Sequence, residues 1–217
     1  MKTTRIFFYA ATAALLAGPA FGGIIVQDLY SAGATGSYDF WRAATWTQTA
    51  TYSGVTIGAN LATNGISPGN GTAYLMNLLG PGATSGNEVT APFAIVNLPT
   101  SCCALNTMTP LFSGLTLGPG TYYLLIDPAT TLYWDLTGPP LQTLGSGVTQ
   151  GSDVALSGPR DPGFPPDSGY APTAYNVIFS VTGTLVSESS TPEPSTIVMF
   201  LSGLAGIGIA LRRRRTA

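Results

Sequence analysis

The sequence predicts an all-β domain, a two-sheet β-sandwich of jelly-roll type, flanked by an N-terminal signal peptide and a single C-terminal transmembrane helix. Its composition combines 27 Gly and 17 Pro with only 8% charged residues, a mixture that suits short strands joined by turns better than solvent-exposed helices. Strand-like stretches recur at short spacing, and no 3.6-residue pattern continues long enough to make a major helix. Each end carries an apolar segment beside basic residues, which leaves residues 23–186 for one domain.

Residues 1–22 have the layout of a secretory signal peptide. Basic residues come first and an apolar run follows at residues 6–17; Ala20 and Gly22 then provide the small-x-small site at which such peptides are cut. About a dozen apolar residues are too few to cross the ~30 Å hydrocarbon core of a bilayer as a helix. We therefore expect cleavage before Gly23 and export of the mature chain.

Seven stretches of the middle region are predicted as strands, enough for two packed sheets rather than a small barrel. In the last stretch, apolar and hydroxyl side chains alternate and so fall on opposite faces. Its apolar face comprises Val177, Phe179, Val181 and Leu185. The seven predicted strands are residues 44–52, 73–79, 92–98, 111–117, 121–126, 131–136 and 175–186.

Turn sequences and Gly/Pro-rich segments divide these strands. Gly118-Pro119-Gly120 and Asp127-Pro128-Ala129 predict the two turns of a three-stranded meander. Residues 138–172 contain seven Gly and seven Pro, which predicts a long irregular connection, either functional or disordered. Residues 187–191 are predicted to be a linker.

The charge distribution argues against a nucleic-acid partner. Six of the eight basic residues belong to the two terminal segments, so between these segments, in residues 23–191, Arg42 and Arg160 alone face nine carboxylates and leave a net charge of −7. A domain this acidic lacks the basic surface that phosphate backbones require.

The residues that most hydrolases use are missing. The chain has no histidine, the commonest general base and zinc ligand. Residues 65–69 match the G-x-S-x-G nucleophile elbow, but Ser67 has no histidine partner and Pro68 has no N–H for an oxyanion hole. We therefore expect a turn here, no catalytic residue and no enzymatic activity.

Asp127 and Asp135 are the best-placed carboxylate pair for glycoside hydrolysis. The favoured interpretation is that both are solvated aspartates at turns and strand ends.

Two further features allow more than one interpretation. Asp153, Asp161 and Asp167 lie in the Gly/Pro-rich segment, and carboxylates suit calcium, although no EF-hand spacing is present; we commit to no cofactor and no metal ligand. Cys102 and Cys103 are adjacent, with Cα atoms ~3.8 Å apart, below the usual disulfide range. A strained vicinal disulfide, two intermolecular bridges and a reduced pair all stay open.

Aromatic residues offer the last candidate site. They would either stack on sugar rings or pack in the core, which is the default for aromatics in strands. In each adjacent pair, strand alternation turns one ring away from the other. The candidates are Trp41, Trp46, Tyr122, Tyr123, Tyr133 and Trp134.

The C-terminal segment has three parts in a fixed order. Pro192-Glu193-Pro194 is followed by an uncharged apolar stretch, residues 196–211, and then by four arginines. Such a helix would be about 24 Å long, and the basic cluster marks its cytoplasmic end. The arginines are Arg212, Arg213, Arg214 and Arg215.

Residues 192–217 closely resemble the PEP-CTERM sorting tail. The resemblance implies a Gram-negative substrate of an exosortase, a membrane cysteine transpeptidase thought to cut at the motif, with Pro192, Glu193 and Pro194 as recognition residues. It implies a transient stay in the inner membrane, followed by release to the outer envelope, the cell surface or the extracellular matrix. It also implies an association with exopolysaccharide or biofilm.

Together these observations predict an exported, non-enzymatic cell-surface or extracellular-matrix protein. A carbohydrate-binding module on a secreted β-sandwich is the alternative, and a secreted enzyme comes third. An exposed aromatic platform or a calcium cluster would favour the carbohydrate-binding module. Convergent carboxylates in a cleft would favour the secreted enzyme.

Overall fold

The computed structural model describes residues 22–31, 37–38, 40–101, 104–128, 131–156 and 163–186. The signal peptide up to residue 21, Cys102 and Cys103, the linker and the sorting tail lie outside these ranges. Within the ranges, no helix is long and apolar enough to cross a membrane; the predicted transmembrane stretch is not among them.

In the described part of the chain, sixteen strands and two short 3-10 turns, Ser85–Asn87 and Pro165–Asp167, make an all-β fold. The all-β part of the predicted fold class is confirmed. The strands are β1 Gly23–Leu29, β2 Ser37–Tyr38, β3 Arg42–Gln48, β4 Tyr52–Ala59, β5 Leu61–Thr63, β6 Gly69–Met76, β7 Phe93–Leu98, β8 Thr109–Leu117, β9 Gly120–Pro128, β10 Leu132–Thr137, β11 Leu141–Leu144, β12 Val148–Gln150, β13 Val154–Leu156, β14 Tyr170–Pro172, β15 Asn176–Val177 and β16 Phe179–Leu185.

These strands pair antiparallel in three sheets rather than two. The five-stranded sheet has the order β11-β1-β16-β4-β8. The seven-stranded sheet has the order β14-β13-β3-β9-β6-β7, with β12 also paired to β3. The four-stranded sheet has the order β15-β10-β2, with β5 also paired to β10. The jelly-roll type stays a prediction.

One hydrophobic core joins the three sheets. Trp46 of β3 stacks on Tyr122 of β9 with ring centroids 5.6 Å apart, and its ring lies 6.2 Å from Phe179 of β16. The two large sheets therefore face each other across these rings. The four-stranded sheet adds Trp134, whose indole N–H donates a 2.9 Å hydrogen bond to the Ile178 carbonyl.

The predicted meander is wrong, because its three strands belong to three different sheets. β8 pairs with β4, β9 lies between β3 and β6, and β10 pairs with β2, β5 and β15. The Gly118-Pro119 link thus crosses between the two large sheets instead of closing a hairpin. Alternation along a strand shows which face is buried, but it does not identify the neighbouring strand.

The buried Gln48 side chain holds this crossover. Its Nε2 donates to the carbonyls of Ala50, Leu117 and Gly118 at 3.0–3.1 Å. Its Oε1 accepts from the Trp46 indole N–H at 3.2 Å. One buried amide therefore bonds carbonyls at the points where the chain changes sheet, and the Gly118 carbonyl also accepts a 2.9 Å bond from the Tyr122 hydroxyl.

Residues 138–172 are more regular than predicted, since they contain β11, β12, β13, β14 and a 3-10 turn in their described parts. The irregular-connection prediction is wrong there, because strands of three or four residues are too short for a periodic signal.

The last predicted strand is broken and does not keep one apolar face throughout. β15 pairs with β10, and β16, after Ile178, pairs with β1 and β4. The pairing with β4 shifts register between Thr182 and Thr184, as at a β-bulge. Leu185, beyond the shift, is 51% exposed whereas Phe179 and Val181 are buried.

Candidate functional site

A groove on the outer face of the five-stranded sheet is a concave feature that sequence reasoning missed. Alternation along β4 and β16 buries Ile57, Phe179 and Val181 and turns the intervening residues outward. The groove has a volume of about 220 Å³ and is lined by Thr56, Gly58, Met108, Pro110, Ser180 and Thr182. Four of these lie in two strands whose hydroxyl and glycine positions were visible in the sequence, but their pairing was not.

Local packing and hydrogen bonding shape this groove. A Cβ built on Gly58 would lie 3.1 Å from both the Met108 Cβ and the Thr109 carbonyl oxygen, so a side chain there would crowd its neighbours. The Ser180 Oγ accepts a 3.1 Å hydrogen bond from the Gln27 amide. Ser180 is only 8% exposed, so its hydroxyl, which can also donate, forms part of the groove floor.

A buried polar cluster lies where β1, β11, β12 and β13 approach one another. Asp28 is fully buried and accepts hydrogen bonds from the Gln142 and Gln150 amides. Asp153 is 2% exposed, and its Oδ2 accepts a 2.7 Å bond from the Val177 backbone N–H. Its Oδ1 has no hydrogen-bond partner among the described residues.

Burial sets the protonation of both carboxylates. It raises the pKa of Asp153 to about 8, with a smaller increase from Asp28 and opposing effects of the Val177 N–H and Arg42. Burial also raises the pKa of Asp28, against the two glutamine hydrogen bonds. Such a cluster suits a neutral, hydrogen-bonded Asp153 better than a pair of anions.

The calcium candidates do not form a complete ligand set in the described residues. Asp153 is buried as above, whereas Asp167 accepts a hydrogen bond from the Gly82 N–H in an exposed turn. Asp161 lies outside the described ranges. Where side chains are described, no three or more His, Cys, Asp or Glu residues are grouped to hold a metal ion.

The Ser67 segment forms a turn that leads into a strand. The Asn64 Oδ1 accepts hydrogen bonds from the backbone N–H groups of Ile66 and Ser67 at 2.9 and 3.0 Å, and β6 starts at Gly69. A nucleophile elbow instead joins a strand to a helix. The local geometry is that of an Asx-type turn.

Asp127 and Asp135 belong to different sheets, the first to β9 and the second to β10. The pKa values of Tyr74 and Tyr170 are both raised, mainly by burial and to a smaller extent by the nearby charge of Asp127. Asp135 is held by its backbone, which donates to the Asn60 carbonyl and accepts from the Ile178 N–H, both at 3.0 Å. The two carboxylates are therefore positioned by separate surroundings.

Most of the aromatic candidates pack inside the domain. Trp41, Trp46, Tyr122 and Trp134 are buried, while Tyr123 and Tyr133 are partly exposed on different sheets. One ring of each adjacent pair thus turns outward, as predicted. Trp41 packs in a second cluster with Ala43 and Leu125. These positions alternate with core residues, so this cluster lies on the outer face of the seven-stranded sheet.

Comparison with known proteins identifies the C-terminal segment. The family model of the PEP-CTERM protein-sorting motif matches residues 190–215, which include Pro192, Glu193, Pro194 and the four arginines. No curated protein and no solved structure matches the chain. The predicted resemblance is confirmed: the chain carries a PEP-CTERM sorting motif, which implies export toward the envelope with an exosortase as processing partner.

Proposed function

We propose that this chain, an exosortase substrate by its sorting motif, is a non-enzymatic protein of the cell surface or extracellular matrix that associates with exopolysaccharide. The observation that carries the proposal is the sorting motif at residues 190–215. The signal-peptide layout of residues 1–22 supports it from the other end, because both segments direct the same domain out of the cytoplasm.

The chemistry of the domain supports a non-enzymatic role. The chain contains no histidine, Ser67 lies in an Asx-type turn, and Asp127 and Asp135 belong to different sheets. Acyl transfer needs a base beside its nucleophile, and glycoside hydrolysis needs two carboxyl groups about 5–9.5 Å apart across one bond. The described residues support neither a base beside Ser67 nor a pairing of the Asp127 and Asp135 carboxyl groups across one bond.

The proposed processing step uses Pro192-Glu193-Pro194, a sequence that favours an extended backbone. Two prolines fix φ and disfavour helix, so the backbone is presented to a transpeptidase, and Glu193 is a charged recognition group. The four arginines would hold the carboxyl end in the cytoplasm until the cut is made.

Alanine substitution separates sorting from anchoring. Pro192→Ala, Glu193→Ala and Pro194→Ala in one variant leave the apolar stretch and the arginines intact, so a simple anchor would behave as before. We expect uncut protein in the inner membrane and none outside, measured by fractionation and immunoblotting. Normal surface delivery with normal removal of the tail would refute the sorting role.

The second candidate function, a carbohydrate-binding module, is favoured by the groove on the five-stranded sheet rather than by the predicted aromatic platform. The three tryptophans, which are the largest residues of the predicted aromatic platform, are buried.

A further inference from the structure

We propose that the outer face of the five-stranded sheet binds a neutral polysaccharide chain, seated in the groove between β16, β4 and β8. The proposal rests on the proposed function in one respect, since an exported surface protein is exposed to polysaccharide. It goes further by assigning the ligand class and the residues that contact it.

The five-stranded sheet is almost free of charge. Its five strands contain a single charged residue, Asp28, and that side chain is fully buried. The described carboxylates of Asp127 and Asp135 belong to the other two sheets, and Asp167 to a turn. The face therefore offers no cation to an anionic polymer, while the acidic remainder of the domain repels one within the ~8–10 Å Debye length.

The hydrogen-bonding side chains of the groove are three neutral hydroxyls set among apolar surface. Thr56, Ser180 and Thr182 line the groove, and each hydroxyl can donate and accept. Gln27 already orients Ser180 by donating to its Oγ. Sugar hydroxyls have the same dual character, so this set of groups matches a polyhydroxylated chain without a charged partner.

Polar and small residues continue across the whole sheet in direct register. Gln27 pairs with Thr143 on one side and with Ser180 on the other, Ser180 pairs with Gly58, and Gly58 pairs with Pro110. Residues directly opposite each other share a face. Five strands at ~4.8 Å spacing give a track of about 19 Å, which suits a chain of sugars rather than a single one.

Gly58, Met108 and Pro110 give the track its low floor and its apolar wall. A Cβ at Gly58 would lie 3.1 Å from the Met108 Cβ, so the glycine lets Met108 approach the strand closely and keeps the floor of the groove low. Met108 and Pro110 line the same groove, and they offer aliphatic surface to the C–H faces of sugar rings.

Affinity electrophoresis of the exported protein tests the proposal. The probes are three neutral polysaccharides (hydroxyethyl cellulose, xyloglucan and dextran) and the anionic polymer alginate, each compared with a gel that lacks polysaccharide. We expect retardation by at least one neutral probe and none by alginate. Absence of retardation by all three neutral probes, or retardation by alginate alone, would overturn the proposal.

Matched variants locate the binding face. Thr182→Glu places a carboxylate in the groove, whereas Thr149→Glu places the same charge on the seven-stranded sheet, at an exposed position beside buried Val148 and opposite the uncharged Thr47. We expect Thr182→Glu to weaken binding about tenfold or more, because sugar hydroxyls would then compete with a newly hydrated charge. Thr149→Glu should bind like wild type, and equal loss in both variants would overturn the assignment.

Two controls keep the test decisive. Thr182→Val removes the hydroxyl without adding charge, and it replaces Thr182→Glu if that variant melts at a lower temperature than Thr149→Glu. Gel filtration tests whether a second copy of the chain occupies the face instead. A dimer that dissociates in Thr182→Glu, together with no polysaccharide binding, would show that the face docks a second copy.

Export and tail removal are scored separately. A protein that is exported but binds no neutral polysaccharide refutes this inference alone, whereas an uncut protein in the inner membrane refutes the proposed function.

Discussion

The Asp153 carboxylate accepts a 2.7 Å hydrogen bond from the backbone N–H of Val177, which ties the segment before β13 to the strand β15. The carboxylate is almost completely buried. Its surroundings favour the neutral acid, because burial outweighs the stabilising effect of this N–H and of Arg42 on the anion.

The pH dependence of stability follows from that pKa. The folded-state value of about 8 lies above the ordinary value of 3.8, so between these pH values the folded state binds more protons than the unfolded state. The free energy of unfolding therefore falls as pH rises from about 4 to 8, and Asp28 contributes with the same sign. We expect a lower urea midpoint at pH 8 than at pH 5.

Asp153→Asn supplies the matched control for this prediction. Asparagine keeps an oxygen to accept from the Val177 N–H but cannot ionise. The variant should lose most of the decrease between pH 5 and pH 8. An identical decrease in wild type and variant would show that another group causes it.

Gln48 is predicted to be a main stabilising residue of the crossover between the large sheets. Gln48→Ala removes the amide that donates to the Ala50 and Leu117 carbonyls and accepts from the Trp46 indole. The Gly118 carbonyl keeps the Tyr122 hydroxyl as a donor. Buried groups left unsatisfied cost about 1–3 kcal/mol each, and we expect a total loss of about 2–4 kcal/mol in the free energy of unfolding by urea denaturation. Thr149→Ala, at an exposed position of β12, should change it by less than about 0.5 kcal/mol; similar losses in both variants would contradict this role.

Two glycines are predicted to respond oppositely to alanine. At Gly71 a Cβ would lie 2.6 Å from the Leu132 Cδ2 and 2.7 Å from the Asp127 carbonyl oxygen, so Gly71→Ala should destabilise the domain by about 1–3 kcal/mol through overpacking. At Gly118 nothing lies within 4 Å of the added atom. Gly118→Ala should be neutral or slightly stabilising, because it restricts the unfolded chain. Thermal melting would contradict this account if the order of the two variants were reversed.

The parts of the protein that sequence reasoning captured depend on contiguous residues. The sorting tail is a short motif beside an apolar stretch and a basic cluster, and Phe179 and Val181 are buried by simple alternation. What it missed depends on partners far away in the sequence. The bonds from Gln48 to Leu117 and from Asp153 to Val177, and the approach of Met108 to Gly58, exist only once the strands have paired. Asp153 shows the difference: its place in a Gly/Pro-rich segment suggested a calcium ligand, whereas strand pairing buries its carboxylate.

The central claim, export of the domain by cleavage at both targeting segments, is tested most directly by intact-mass and terminal-peptide mass spectrometry of the protein recovered outside the cell. The account predicts a chain that begins at Gly23 and ends at or beside Pro192-Glu193-Pro194, without the apolar stretch and the arginines. A recovered chain that still begins at Met1, or that still carries Arg212 to Arg215, would contradict it.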